Sequence, residues 1–151
     1  MTTLKEQLQE DLTAAIKARD ELRSSTIRLT LAAVTSEEVA GKTKRELSDD
    51  EVLKVIAREA KKRREAAEAF DTAGRAESAA QERAEGEVLA QYLPKQLSDE
   101  ELAAIVAEAV AASGATGPQG MGAVMKLVKP KVEGLAEGGR VAAAVRAALA
   151  G

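Results

Sequence analysis

Apolar and polar positions along the chain follow a helical period almost throughout. Leu4, Leu8, Leu12 and Ile16 recur every four residues behind Thr3 and Glu6, which predicts a first helix with one narrow apolar stripe, ending near Arg19. Leu22, Ile27, Leu29, Leu31 and Val34 carry a second helix that stops before Gly41. The stretch from Gly41 to Leu47 is polar and reads as a mobile connector. From Ser48 a long third helix runs to the neighbourhood of Ala73, where Gly74 ends it. At about 100° per residue, Val52, Val55, Ile56, Ala66, Ala67 and Phe70 share one face of it, and Lys54, Arg58, Lys61 and Lys62 share another. Glu59 and Arg63 fall on the apolar side in the favourable order of acid before base, so that face is expected to be only partly buried there. A fourth helix, from Ala76 to the region of Tyr92, carries Glu77, Glu82, Glu85 and Glu87.

The pattern changes at Pro94. All three prolines and eight of the eleven glycines lie from there onward, which marks a domain boundary. Beyond it the pattern predicts a helix from Asp99 to Ala112, a loop from Ser113 to Gly120, a short helix from Met121 to Lys129 and a last one from Gly139 to Ala150. The expected organisation is a four-helix N-terminal domain over residues 1–95 and a three-helix tail domain over residues 96–151. Ser/Thr-x-x-Glu capping boxes stand at Thr3 with Glu6, Ser48 with Glu51 and Ser98 with Glu101.

Composition sharpens this into an all-α fold with thin cores. Of the 45% apolar residues nearly half are alanine, the best helix former, and a single Phe and a single Tyr make up the aromatics. The formal net charge of -3 is too small to force disorder. With no Cys there is no disulfide, thiolate zinc site or redox pair, and with no His the commonest general base and metal ligand is missing. The start of the chain lacks a basic segment followed by an apolar core, and the longest weakly polar stretch, Leu102 to Ala112, is interrupted by Glu108. A cytoplasmic location and no membrane role are expected.

Few residues offer chemistry. The glycine-rich run Gly114–Gly122 matches no phosphate-binding fingerprint and follows no strand, so it reads as a loop and helix start. The acidic triplets Asp49–Glu51 and Asp99–Glu101 follow capping serines, where helix dipole and capping account for them better than a metal does. Glu82 and Glu85 are one turn apart and could share a proton or a metal, although a solvated helix face is the commoner meaning of such a pair. Ser24 and Ser25 have no activating Lys nearby. No catalytic residue, cofactor or metal ligand is expected.

The segment Val88–Leu102 (VLAQYLPKQLSDEEL) resembles the junction motif of the YqeY-like family. Lys17–Glu21 (KARDE), Ile27–Ala33 (IRLTLAA), Phe70–Arg75 (FDTAGR), Met121–Met125 (MGAVM) and Pro130–Val132 (PKV) resemble the same family in the same order. That family is similar to the C-terminal helical and tail region of the B subunit of the bacterial tRNA-dependent amidotransferase, which grips tRNA while other domains do the catalysis. The resemblance implies a helical domain and a three-helix tail. It also implies that a label of carbon-nitrogen ligase activity with glutamine as amido-N-donor belongs to the shared domain and not to chemistry in this chain. The chain departs from the family at Leu135, where a basic residue is common.

Two functions from different classes follow. In the first the chain is a non-catalytic module that contacts tRNA by shape and phosphate, through Lys54, Arg58, Lys61 and Lys62 on one helix and Lys126, Lys129 and Lys131 in the tail. Phe70 and Tyr92 are both expected to be packed, which disfavours base stacking. Arg19 and Arg23 lie outside the basic row. In the second, Ala-rich helices dock on a protein, an amidotransferase or another translation component.

Overall fold

The structure is a computed structural model and describes residues 2–150. Among the described residues it contains seven α-helices, one 3₁₀ turn and no strand. The helices are α1 (Leu4–Lys17), α2 (Glu21–Glu38), α3 (Asp49–Thr72), α4 (Ala76–Ala90), α5 (Asp99–Ser113), α6 (Met121–Val132) and α7 (Gly138–Ala150). The chain divides into two compact units, one ending at Leu93 and one beginning at Pro94.

In the first unit Ser48 and Glu51 form a complete capping box at the start of α3. At α1 only half of the box forms. The Thr3 hydroxyl accepts the Glu6 N–H at 3.1 Å and donates to the Glu6 carboxylate, and the Leu4 N–H, a separate donor at the helix start, is taken by Asp49 at 2.9 Å. Asp49 thus joins the start of α1 to the start of α3.

The core of this unit gathers Leu8, Ile27, Val34, Leu47, Val52, Val55, Ile56, Val88 and Leu89. Two of the apolar residues that mark these helices in the sequence are outside it. A spacing of four advances about 40° per step, so Ile16 has turned some 80° away from the buried Leu8 and is 52% exposed. Leu29, on the side of α2 opposite Ile27, is equally exposed. Thr26 and Thr30 take the inward places, their hydroxyls donating to the carbonyls of Leu22 at 2.8 Å and Thr26 at 2.9 Å, so neither brings an unsatisfied polar group inside.

The connector after α2, expected to be mobile, is anchored at its far end. Leu47 enters the core, and its N–H reaches the carboxylate of the buried Glu38 at 3.4 Å. Lys5 donates to the same carboxylate at 2.9 Å and, more than any other group, holds its pKa down. Arg45 pairs with Glu51 and is the main reason that carboxyl sits at about 2. Past Ala60 the large core side chains stop, and α3 meets α4 through the buried Ala67 and Ala79.

In the second unit, Leu102, Val106, Ala109, Val124, Val128, Val132, Val141, Val145 and Leu149 close a small bundle of α5, α6 and α7. A second complete capping box, Ser98 with Glu101, starts α5, and Gly114 in the left-handed region ends it. Arg140 of α7 donates to the Leu97 carbonyl and to Asp99, each at 2.9 Å. α6 runs three residues beyond the expected stop at Lys129, through Pro130 to Val132. Pro130 is exposed, so the carbonyl that loses its helical partner lies on the water side, while buried Val132 keeps the last turn wound.

Candidate nucleic-acid interface

The basic row of α3 sits on the face opposite the core, because Lys54, Arg58, Lys61 and Lys62 fall within an arc of about 100° that is centred away from Val52, Ile56 and Glu59. All four are exposed. Lys54 to Lys61 spans roughly 10 Å along the axis.

Three of these cations have a carboxylate beside them. Arg58 Nη2 is 3.3 Å from Glu37 at the end of α2, Lys61 is 3.8 Å from Glu65, and Lys62 is 2.9 Å from Glu59. Lys54 makes no ion pair with another described residue. The (i, i+4) and (i, i+3) partners Glu65 and Glu59 are legible in the sequence; Glu37 comes from another helix and has no local signal.

Glu59 and Arg63, the expected pair on the apolar side, each choose other partners. Glu59 is 7% exposed and turns to Lys62. Arg63 turns across the helix pair to Glu82 at 3.8 Å and Glu85 at 3.6 Å. These two acids do not form a solvated face: each is less than one-fifth exposed, and Glu82 Oε2 and Arg63 Nε are buried with no hydrogen-bond partner among the described residues. Burial first, then the neighbouring Glu85, raises the pKa of Glu82, with Arg63 opposing.

A carboxyl whose pKa is higher in the folded than in the unfolded chain favours folding while it is protonated. That contribution is present below the unfolded value, about 4.3, and is lost as the pH rises through the folded one. Glu82→Gln keeps the shape of the protonated form. It is therefore expected to be more stable than the parent at about pH 8 and to lose the advantage at about pH 4, as read by urea unfolding at both values.

The tail lysines do not form one patch. All three are exposed, and Lys126 and Lys129 lie about 60° apart on the outer side of α6, but Lys131 points about 140° round from Lys126. Arg23 is not a bystander charge. It donates to Gln91 at 2.7 Å, lies 3.8 Å from Asp11 and joins the Tyr92 hydroxyl, which itself donates to Asp11. Burial and the Asp11 carboxylate push the Tyr92 phenol up. The aromatics are half-buried: Tyr92 is engaged in this cluster, and the Phe70 ring lies under Arg75 at 5.2 Å.

Among the described residues no group of three or more acids could hold a metal ion, and no helix is long and apolar enough to cross a membrane. The acidic triplets are used in capping and in the contacts of Asp49 and Asp99. No curated protein matches the chain. The model of the YqeY family, described as Yqey-like protein, matches residues 5–149. With nearly its whole length matched, the chain belongs to the YqeY-like family.

Proposed function

We propose that the chain is a non-catalytic, tRNA-binding or translation-associated protein, related to the tRNA-gripping region of the amidotransferase B subunit. The observation that carries this reading is the exposed cationic row on α3, opposite the core and long enough to meet two or three backbone phosphates. Lys126 and Lys129 add a second, smaller cationic site in the tail, with Lys131 apart from them. Neither aromatic ring is free for stacking, so contact is with phosphates and helix shape. Any glutamine-dependent ligase label belongs to the shared domain. The unit ending at Leu93 and the unit beginning at Pro94 act as separately folding domains in this reading, and the protein works in the cytoplasm.

Changing Lys54, Arg58 and Lys61 together to Gln is expected to leave helicity intact and weaken tRNA binding several-fold. The slope of log affinity against log salt should fall by about two to three. Lys17, Arg28 and Arg146, all exposed, give the charge-matched control; Arg23 is unsuitable because it ties α2 to Tyr92 and Gln91. Equal weakening by both triples, or no binding by the parent at moderate salt, rejects the reading.

The adaptor reading has one observation in its favour. Leu29 and Ala32 are exposed on α2, and Val39, just past its end, is 52% exposed like Leu29. If tRNA is not retained while a protein partner is, and Leu29→Ser with Val39→Ser releases that partner, the adaptor reading replaces the first.

A further inference from the structure

We infer that the cationic row is a self-masked phosphate site, in which Glu37 and Glu65 occupy Arg58 and Lys61 in the free protein and give way to RNA phosphates. Glu59, by contrast, keeps Lys62. The inference rests on the tRNA reading of the same face and adds its regulation.

The three carboxylates differ in burial. The side chains of Arg58 and Glu37 are 55% and 44% exposed, and those of Lys61 and Glu65 are 49% and 61% exposed. At such exposure water and salt compete for both charges, so the pairs hold weakly and can be exchanged for a phosphate. The Glu59 side chain is only 9% exposed, and its carboxylate lies 2.9 Å from Lys62 Nζ. A carboxylate that far from water cannot give up its counter-charge cheaply, so Lys62 is committed to it. Lys54, with no described ion-pair partner, is the cation that meets a phosphate first; Arg58 and Lys61 follow by exchange.

Masking sets a selectivity. A single small anion meets one cation, and at Arg58 or Lys61 it must compete with the adjoining carboxylate alone. A duplex backbone presents phosphates several ångströms apart and engages Lys54, Arg58 and Lys61 together, displacing Glu37 and Glu65 in one event. The row therefore favours an extended polyphosphate backbone over an isolated phosphate group.

The test is fluorescence anisotropy of a labelled tRNA transcript with the full chain. Glu37→Gln with Glu65→Gln is expected to tighten binding several-fold at low salt, with unchanged helical circular dichroism. Glu10→Gln with Glu87→Gln, which removes two exposed acids on α1 and α4, sets the general effect of net charge. Equal tightening by the two pairs, or a parent that binds while Glu37→Gln with Glu65→Gln does not improve it, overturns masking and leaves the tRNA reading standing. Binding by the unmasked variant alone supports masking and rejects tRNA as a ligand of the parent. Absence of binding by both overturns masking together with the tRNA reading.

Discussion

Ile56→Ala is expected to destabilise the first unit by about 2–5 kcal/mol. Ile56 is fully buried among Leu8, Ile27, Val34, Val52 and Leu89, which hold most of the large apolar volume of that unit. The chain has only four isoleucines and 32 alanines, so the neighbours around a truncated side chain are short or already committed elsewhere. A core built this way cannot collapse into the space left by three carbon atoms, and both the transfer free energy and the cavity weigh against the variant. Urea unfolding followed by far-ultraviolet circular dichroism reads the change as a lower midpoint for the first unit. The transition of the unit beginning at Pro94 is expected to stay where it was. A common shift of both transitions would show that the two units unfold as one.

Gly120→Ala is expected to cost about 1–3 kcal/mol in the second unit. Its backbone φ of -82° suits any residue, so the constraint is contact and not conformation. A Cβ at this position would lie 2.4 Å from Ala115 Cβ and 3.5 Å from Ala115 Cα. Ala115 has no rotamer to turn aside, so relief requires the loop after α5 to move away from the start of α6. Gly122 provides the contrast, since nothing lies within 4 Å of a Cβ there and it sits in the first turn of α6. Gly122→Ala should be neutral or stabilising by up to about 1 kcal/mol, because alanine loses less backbone freedom in a helix. Thermal unfolding of the two variants separates the readings. If Gly120→Ala melts with the parent, the loop yields more easily than its packing implies.

The helices themselves were legible because their signals are local. A capping serine, the glutamate three residues on and a glycine at the end act within one or two turns, and together with the apolar period they place all seven helices within a few residues of their positions. The same holds for the basic row, since the angular position of Lys54, Arg58, Lys61 and Lys62 follows from helical geometry alone. The family could be read because its motifs are contiguous and fall in order over almost the whole chain.

Whatever depends on the opposing helix was not legible. Periodicity placed Ile16 in the apolar stripe of the first helix and Leu29 among the apolar residues of the second, yet burial needs a partner surface, and α2 turns Thr26 and Thr30 inward because their hydroxyls can be satisfied by their own helix. Arg63 has Glu59 one turn away but pairs with Glu82 and Glu85, since α4 brings two carboxylates to a face where one arginine must answer both. Glu37 reaches Arg58 across 21 residues of sequence, and Arg23 reaches Gln91 across 68. The sequence by itself determined the helices, their apolar stripes and the cationic face, all of which depend on neighbours within a few residues. The tertiary structure decided which apolar residues are buried and that Glu37 of α2 stands beside Arg58 of α3, because those outcomes depend on side chains that only packing brings together.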